Sequence, residues 1–466
     1  MAEMLVPKFK DFLSEAKKEQ PFLRLLIVTD EPEEAKTFHT ADRLQEECDK
    51  LKYPHYLFKL TGGYTTLEDG VRRFHNKDDK KGFEIDKQTV AVIRGSITRK
   101  DSWMDFVSIL EKEEVTLVNN RNCISICADK YRTSLRLADY GLTEPKTFLI
   151  NDPEKSVEQV ENAGLKFPLI LKTLRGSKGV GVLFVESAKS LDSIVQLINK
   201  QDEDADLLAQ QYIKTDYDVR VHVLGGKVIA AMKRPVIEGD FRSNVSQGSE
   251  PENIELTELE IEESLRAAKA VNGTWSAVDF IPSKNREKEP PFMLEVNSSP
   301  GTEGIEDASN QNISREVIQH FADKTNRYKT PTECGYKEVV NIKPFGEIIA
   351  KFDTGNSGMP VIHADKFSVS GRQIRWSLLG KTITSDIVRK EEIKVGGLRD
   401  YDEDRYVVKL DVEFAGGLYK DVEFTLDDRD ERTLILLDRA FMNTLNVMVN
   451  PQRKYVITTK YSIDEK

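Results

Sequence analysis

Residues Phe292–Glu306 read FMLEVNSSPGTEGIE, with Glu295 and Asn297 two positions apart in an apolar run. Residues i and i+2 of a strand point to the same face. A strand here presents a carboxylate and an amide side by side, while Leu294 and Val296 turn to a core. Adjacent oxygen donors suit a hard cation such as Mg²⁺, which takes few protein ligands and keeps phosphate oxygens for the rest. Upstream, SAVDFIP sets Asp279 on another strand, with Val278 and Phe280 on its opposite face. Asp279, Glu295 and Asn297 would supply three convergent oxygens for one or two Mg²⁺ ions.

A phosphate half accompanies them. In LILKTLRGSKGVGVLFVE, Lys172 stands on a strand running into a loop with Gly176, Gly179 and Gly181. Glycine lets backbone N–H groups approach phosphate oxygens without a Cβ in the way. The spacing is not that of a Walker A motif and no helix follows, which excludes a P-loop fold. A third segment, KRPVIEGDFRSNVSQGSE, holds Lys233, Arg234, Arg242 and Asn244 in a Gly-containing loop. Arg242 could grip a transferred phosphoryl group or a substrate carboxylate by bidentate hydrogen bonds.

The elements that must position these groups alternate along the chain. LRLLIVTD, HYLFKL and TVAVIRG read as strands, EPEEAKTFHTADRLQEECDKL and SWMDFVSILEKEE as helices, and VTLVNN as a short strand. Strands alternating with helices indicate an α/β unit on a parallel sheet, assigned to residues 1–128. DKYRTSLRLADYGL reads as a helix ending at Gly141, and VRVHVLGGKVIAAMK as a hairpin turning at Gly225-Gly226. These belong to a mixed α+β domain, 129–328, with helices over TELEIEESLRAAKAV and SREVIQHFADKTNRY. KTPTECGYKEVV reads as a linker, and 336–466 as an all-β domain of the size of a small barrel. The fold class is thus α/β plus all-β.

The chain has 466 residues, enough for about three domains. Its net charge of −11 argues against a nucleic-acid binder, whose affinity needs basic surface. Cys48, Cys123, Cys127 and Cys334 are too few and scattered for a disulfide scaffold. Cys123 and Cys127 could share a helix face, where core packing accounts for them. MAEMLVPKFKDFLSEAKKEQPF lacks the apolar run of a signal peptide and reads as an amphipathic helix. No stretch approaches a membrane span, so a soluble, cytoplasmic protein is expected.

These motifs together resemble the ATP-grasp superfamily, specifically its RimK-type glutamate ligases, over about Asp129 to Asp307. The resemblance rests above all on EGDFRSN and EVNSSPGTEGIE. It implies two facing subdomains that grip ATP, with a pre-ATP-grasp α/β domain before them. Lys130, from DKYRT, and Lys172 would contact phosphates, helped by the loop at Gly176 and Gly179. Gln211, Tyr212 and Ile213 would form the hinge against adenine, and Asp218 would hold the ribose. Arg242, Ser243 and Asn244 would lie at the phosphates and acceptor, with Arg242 and Lys172 catalytic. Asp279, Glu295 and Asn297 would hold Mg²⁺ or Mn²⁺. Arg94, Lys233 and Arg234 would bind the acceptor. The family has Glu where this chain has Gln211, and MKRPV departs from its paired arginines.

The implied reaction is amide formation through an acylphosphate: a carboxylate attacks the γ-phosphate of ATP, and an amine then attacks the acylphosphate. No side chain need be a covalent nucleophile; positioning and electrostatics carry the rate, and a closing glycine loop excludes water. The expected partners are an amino acid such as glutamate and a peptide or protein acceptor, without nucleic acid or membrane. A homo-oligomer, dimer or tetramer, is expected. Downstream, IIAKFDTGNSG and TLILLDRAFMNTL resemble the retropepsin-like aspartic protease domain. Asp353 would be its catalytic aspartate, with Thr354 and Gly355 setting the turn. One DTG supplies half of a two-carboxylate catalyst, so a symmetric dimer would be required. Asp438 stands where that family has Gly. Three functions fit: a ligase, a ligase with an aspartic peptidase acting on the same product, and a non-catalytic ATP sensor.

Overall fold

The computed structural model describes residues 23–30, 39–86, 88–113, 115–174, 181–203, 205–236, 250–327, 331–394, 402–415, 417–428 and 433–458. The N-terminal helix expected over 1–22, Gly176 and Gly179, and Arg242, Ser243 and Asn244 lie outside these residues. The chain divides into two compact units, Met1–Lys329 and Thr330–Lys466. Among the described residues no helix is long and apolar enough to cross a membrane.

In the first unit, β1 (Arg24–Thr29), β2 (His55–Lys59), β6 (Thr89–Arg94) and β7 (Thr116–Val118) form a parallel sheet in the order β2-β1-β6-β7. β1 and β6 are continuous apolar runs buried on both faces, as parallel strands require. The helix His39–Leu51 buries Ala41, Leu44 and Cys48, a stripe of helical spacing. The helix Arg121–Cys127 starts at Asn120, whose side chain accepts from the Cys123 amide. The sequence reading missed a three-stranded insertion of β3 (Tyr64–Glu68), β4 (Val71–His75) and β5 (Phe83–Glu84). Its strands are largely polar, and Asp69-Gly70 at positive φ turns the first hairpin.

Two antiparallel sheets follow. The first has the order β10-β9-β11-β8, from β8 (Thr147–Ile150), β9 (Leu169–Thr173), β10 (Val182–Val185) and β11 (Leu207–Gln211). Helices Ser156–Asn162 and Ala188–Gln201 close its core on Val160, Leu191 and Val195. The second has the order β14-β13-β12-β15-β16, from β12 (Tyr217–Leu224), β13 (Lys227–Pro235), β14 (Glu252–Asn253), β15 (Trp275–Ile281) and β16 (Phe292–Asn297). Gly225 and Gly226, at φ 55° and 77°, make the β12–β13 turn. A Cβ on Gly225 would come within 2.3 Å of the His320 ring, so the tip needs glycine for space as well as for φ. The helix Glu258–Ala270 opens with a capping box between Thr257 and Glu260. One face of this sheet packs on Leu137, Ala267 and Val271. Leu224, Met232 and Trp275 enter a core shared with Leu25 and Val92 of the parallel sheet and with Phe321. The helix expected over SREVIQHFADKTNRY runs only from Ile313 to Ala322. Asp323 stops it by accepting from the Thr325 amide and capping a separate turn, Lys324–Asn326.

In the second unit six strands close a barrel: β18 (Lys337–Lys343), β19 (Gly346–Phe352), β20 (Val361–His363), β25 (Asp402–Phe414), β26 (Gly417–Asp427) and β27 (Ile435–Leu437). They run β18-β19-β27-β20-β26-β25, and β25 pairs back with β18 to close the ring. β21 (Phe367–Ser370), β22 (Gln373–Leu378) and β23 (Lys381–Asp386) form a small sheet, and β24 (Arg389–Lys394) extends β25. The expected linker is in part a strand, because β17 (Thr332–Gly335) pairs in parallel with β28 (Val447–Asn450). A helix, Arg439–Leu445, interrupts the all-β pattern, with Asp438 as its N-cap.

Candidate functional site

β12, β15 and β16 carry the candidate metal face. Asp279 lies across from Glu295 on one side and from Arg220 on the other; Asn297 lies across from Ala277. Asn297 Nδ2 donates to Glu295 Oε1 at 3.2 Å, so the amide and carboxylate sit together as residues of one strand face should.

Asp279 is engaged more heavily than a bare metal ligand. Arg220 donates to both its oxygens, at 2.7 and 2.6 Å, and Arg234 Nη2 donates to Oδ2 at 3.0 Å. Burial alone would raise this carboxyl, but the two guanidinium groups hold it far below the usual carboxylate range. Arg234, expected to meet the acceptor, is instead buried and spent on carboxylates. It bonds Asp218 with both prongs, at 2.6 and 2.8 Å, as well as Asp279. Burial works to lower its charge, yet Asp279 and Asp218 hold the guanidinium above its ordinary value. Lys233, one residue earlier and on the other face, pairs with Glu252 at 2.8 Å. Arg220 escaped the sequence reading, although its i+2 spacing from Asp218 was the available signal.

The phosphate-type cations come from two elements. Lys172 is on β9, across from Leu208 and Val182. Lys130 opens the helix Lys130–Asp139 behind the N-cap Asp129, and its Nζ donates to the Thr173 carbonyl at 3.2 Å. Burial lowers the ammonium of each, partly opposed by attraction to Glu295; Lys130 also depresses Lys172. Glu295 attracts both ammonium groups, Glu144 and Asp279 also act on Lys172, and Asp129 also acts on Lys130. Glu144, also missed, lies near Lys172, with its carboxyl pushed up to about 7 by burial. Gly181 closes the β9–β10 loop at φ 80°, where a Cβ would meet Thr173 Oγ1 at 2.3 Å.

At the expected hinge, Gln211 ends β11; its amide donates to the Lys146 carbonyl at 2.8 Å and its Oε1 accepts from the Lys146 amide at 3.3 Å. Tyr212 meets Phe184 edge-on, with ring centroids 5.0 Å apart. Arg94, at the end of β6, donates to the Pro300 carbonyl at 2.7 Å, and Ser299 Oγ accepts from the Gly95 amide at 3.0 Å. The SSPG loop after β16 is therefore tied to the parallel sheet. Asn119 stitches the same junction by donating to the Trp275 and Ser298 carbonyls at 2.6 and 2.7 Å.

Among the described residues no three His, Cys, Asp or Glu side chains gather around a metal position. The donor set is two carboxylates and an amide, which fits a Mg²⁺ or Mn²⁺ ion whose remaining ligands are phosphate oxygens. Glu295 and Asn297 can bind directly, and Asp279 would meet the ion while held by Arg220 and Arg234.

In the second unit, Asp353 follows β19 and its Oδ1 accepts from the Gly355 amide at 3.2 Å. Lys351 Nζ lies 3.5 Å from its Oδ2. Asp438 follows the neighbouring β27, and its carboxylate accepts from the Ala440 and Phe441 amides at 3.0 and 3.1 Å.

A family profile described as a RimK-like ATP-grasp domain matches residues 127–321. A probable alpha-L-glutamate ligase of Psychromonas ingrahamii is 37% identical over 209 residues, covering 44% of this chain and 67% of that protein. Its counterpart from Saccharophagus degradans is 36% identical over 217 residues, covering 46% of this chain and 70% of that protein. Among solved structures, the ATP-grasp ligase PsnB complexed with a minimal precursor aligns with TM-score 0.50 and 19% identity. That alignment covers 64% of this chain and 98% of PsnB, a likeness of fold.

Proposed function

This chain belongs to the RimK-like ATP-grasp family of carbon–nitrogen ligases, and on that premise we propose that it joins an amino acid such as glutamate to a peptide or protein acceptor through an acylphosphate. The observation that carries the reading is the placing of Glu295 across from Asp279 with Asn297 bonded to it, a carboxylate that attracts the Lys130 and Lys172 ammonium groups. Mg²⁺ or Mn²⁺, when bound, supplies positive charge against the phosphate oxygens.

The chain's own groups account for the rest. Lys172 and Lys130 offset charge on the transferred phosphoryl group, while Arg234 and Arg220 hold Asp279 and Asp218 in fixed orientations. A substrate carboxylate oxygen forms a bond to the γ-phosphorus, and the bond to the β-phosphate oxygen breaks with release of ADP. The amine nitrogen then bonds the acyl carbon, phosphate leaves with the C–O electron pair, and the amine gives up a proton. Gln211 to Ile213 would face adenine, with Asp218 near the ribose, and Arg242, Ser243 and Asn244 would act at the phosphates. The test is mass spectrometry of candidate peptide acceptors incubated with Mg²⁺-ATP and glutamate. An ATP-dependent gain of one glutamyl residue supports the reading. Nucleotide binding with neither ADP release nor a gain of mass, across all amino acids and acceptors, would refute it and favour a nucleotide sensor.

A second activity is favoured by one observation. The Asp353-Thr354-Gly355 turn leaves the end of a barrel strand with Gly355 bonded to the Asp353 carboxylate. We propose a retropepsin-like role for this unit, with two copies each contributing Asp353. Asp353→Asn should then change the length of the ligated product and leave ADP release unaltered. Equal product lengths would reduce the unit to a binding or dimerisation role.

A further inference from the structure

We propose that the open edge of β23 and a short unpaired stretch of β25 form a docking groove for an extended, basic polypeptide segment, which adds to them as a strand. The groove lies in the second unit and goes beyond the ligase reading. Its volume is about 580 Å³, and Pro344, Ile383, Val388 and Leu410 supply its apolar lining. That size falls within the range of ligand sites.

Two strand edges border it. β23 pairs with β22 on one side, and among the described residues no strand pairs with its other side. Four consecutive residues, Ile383 to Asp386, line the groove. Their side chains alternate between the two faces of the sheet, so it is the edge of the strand that meets the opening. β25 likewise contributes three consecutive residues, Lys409 to Asp411. On one side β25 pairs with β26. On the other it pairs with β24 as far as Val407, and with β18 from Asp411 to Glu413. Positions 408–410 have no strand on that side among the described residues. The gap corresponds to roughly 10 Å of strand. Unpaired strand edges present N–H and C=O groups that another extended backbone can join.

Charge selects the occupant. Asp386, Asp411 and Asp421 stand against Lys343 and Lys409 in the lining. A bulge in the β25–β26 ladder skips Asp411, whose carboxylate accepts from the Asp421 amide at 3.0 Å. Lys343 is already paired with Glu413, which holds its ammonium group above the ordinary value. Three carboxylates then face the one remaining lysine, Lys409. That balance favours Lys or Arg on the guest and disfavours nucleic acid. An extended guest alternates its side chains, so apolar residues can meet Ile383 and Leu410 while basic ones meet the carboxylates. The groove is separate from the Asp353 turn. Pro344 precedes β19 and Asp353 follows it, so the seven residues of that strand, roughly 23 Å, lie between them.

The probe is a fluorescein-labelled peptide of alternating Lys and Val, titrated into the full chain without nucleotide and read by anisotropy. It should bind, more weakly as salt rises, and slow amide exchange at Ile383 to Asp386. Asp386→Asn combined with Asp421→Asn should weaken it about threefold to tenfold. Asn tolerates the positive φ of position 421, so that variant keeps its fold. N-methylation of alternate peptide residues removes the donors of one peptide edge; one of the two registers should bind about tenfold more weakly. A peptide of alternating Glu and Val should also bind at least about tenfold more weakly. The proposal is overturned if the Lys–Val peptide does not bind, or protects only amides elsewhere. Equal binding by the double variant, by both N-methylated peptides or by the Glu–Val peptide would overturn it as well. Protection of Ile383 to Asp386 that grows with protein concentration alone would assign the edge to a second copy instead. No nucleotide enters these measurements, so their failure leaves the ligase reading standing.

Discussion

A buried carboxylate in the barrel and a buried ammonium group in the nucleotide-type unit solve the same problem in opposite ways. Glu338, fully buried on β18, accepts from the Gly335, Val456, Ile457 and Thr458 amides and from the Thr458 hydroxyl, at 2.6 to 3.1 Å. It pins the segment after β28 to the barrel wall, and its needs are met within its own chain. Lys172 instead shares Glu295 with a second ammonium group, and its protonation is depressed by burial. Complete satisfaction marks a group that serves the fold. An ammonium group that burial disfavours marks one that can serve a ligand.

The contrast can be broken by substitution. Glu338→Ala leaves several buried donors unpaired and should cost about 3 kcal/mol of stability, measured by urea denaturation. Ligation rate per folded molecule should be unchanged. A loss below about 1 kcal/mol would show that those donors reach water. Lys172→Met should do the reverse: turnover falls about 100-fold, or ~2.7 kcal/mol in the transition state. Stability should hold or rise, because an ammonium group disfavoured by burial is removed. A less stable Lys172→Met protein with normal turnover would place Lys172 with Glu338 as a structural group.

The smallest effect sharpens the same distinction. The Glu144 carboxyl is pushed up to about 7 by burial, above its value in the unfolded chain. The folded state therefore holds this proton through a window in which the unfolded chain has lost it. Its contribution to stability is full below about pH 4 and is lost as pH rises to about 7. Melting temperature should decline through that window, and Glu144→Gln should flatten the decline. An unchanged slope would mean that other groups set it.

The placing of Asp279 across from Glu295 and Asn297 on facing strands was legible because strand alternation is local, but a register shift beside Asp279 puts Met293 and Val296 in the core and leaves Leu294 half-buried. The hairpin at Gly225-Gly226 and the parallel N-terminal sheet were legible for the same reason. What pairs with those groups was not. Arg220 meets Asp279 across 59 positions of sequence, and Asn119 joins loops more than 150 positions away. Arg234 lies in β13 directly across the hairpin from Asp218 and also reaches Asp279, 45 positions on, so only the second partner was out of reach of a local reading. Strand β17 could not be read because its partner β28 lies more than 100 residues on. The insertion of β3, β4 and β5 has little apolar alternation to detect.

On the proposed function, the β15–β16 face binds metal–nucleotide for ligation. The most direct measurement is ADP release from Mg²⁺-ATP with glutamate and a peptide acceptor, wild type beside Glu295→Ala. Release should depend on both substrates and fall about 1,000-fold in the variant, and its nucleotide-free stability should fall as well, because Glu295 offsets the Lys130 and Lys172 charges. Equal release by the two proteins would contradict it.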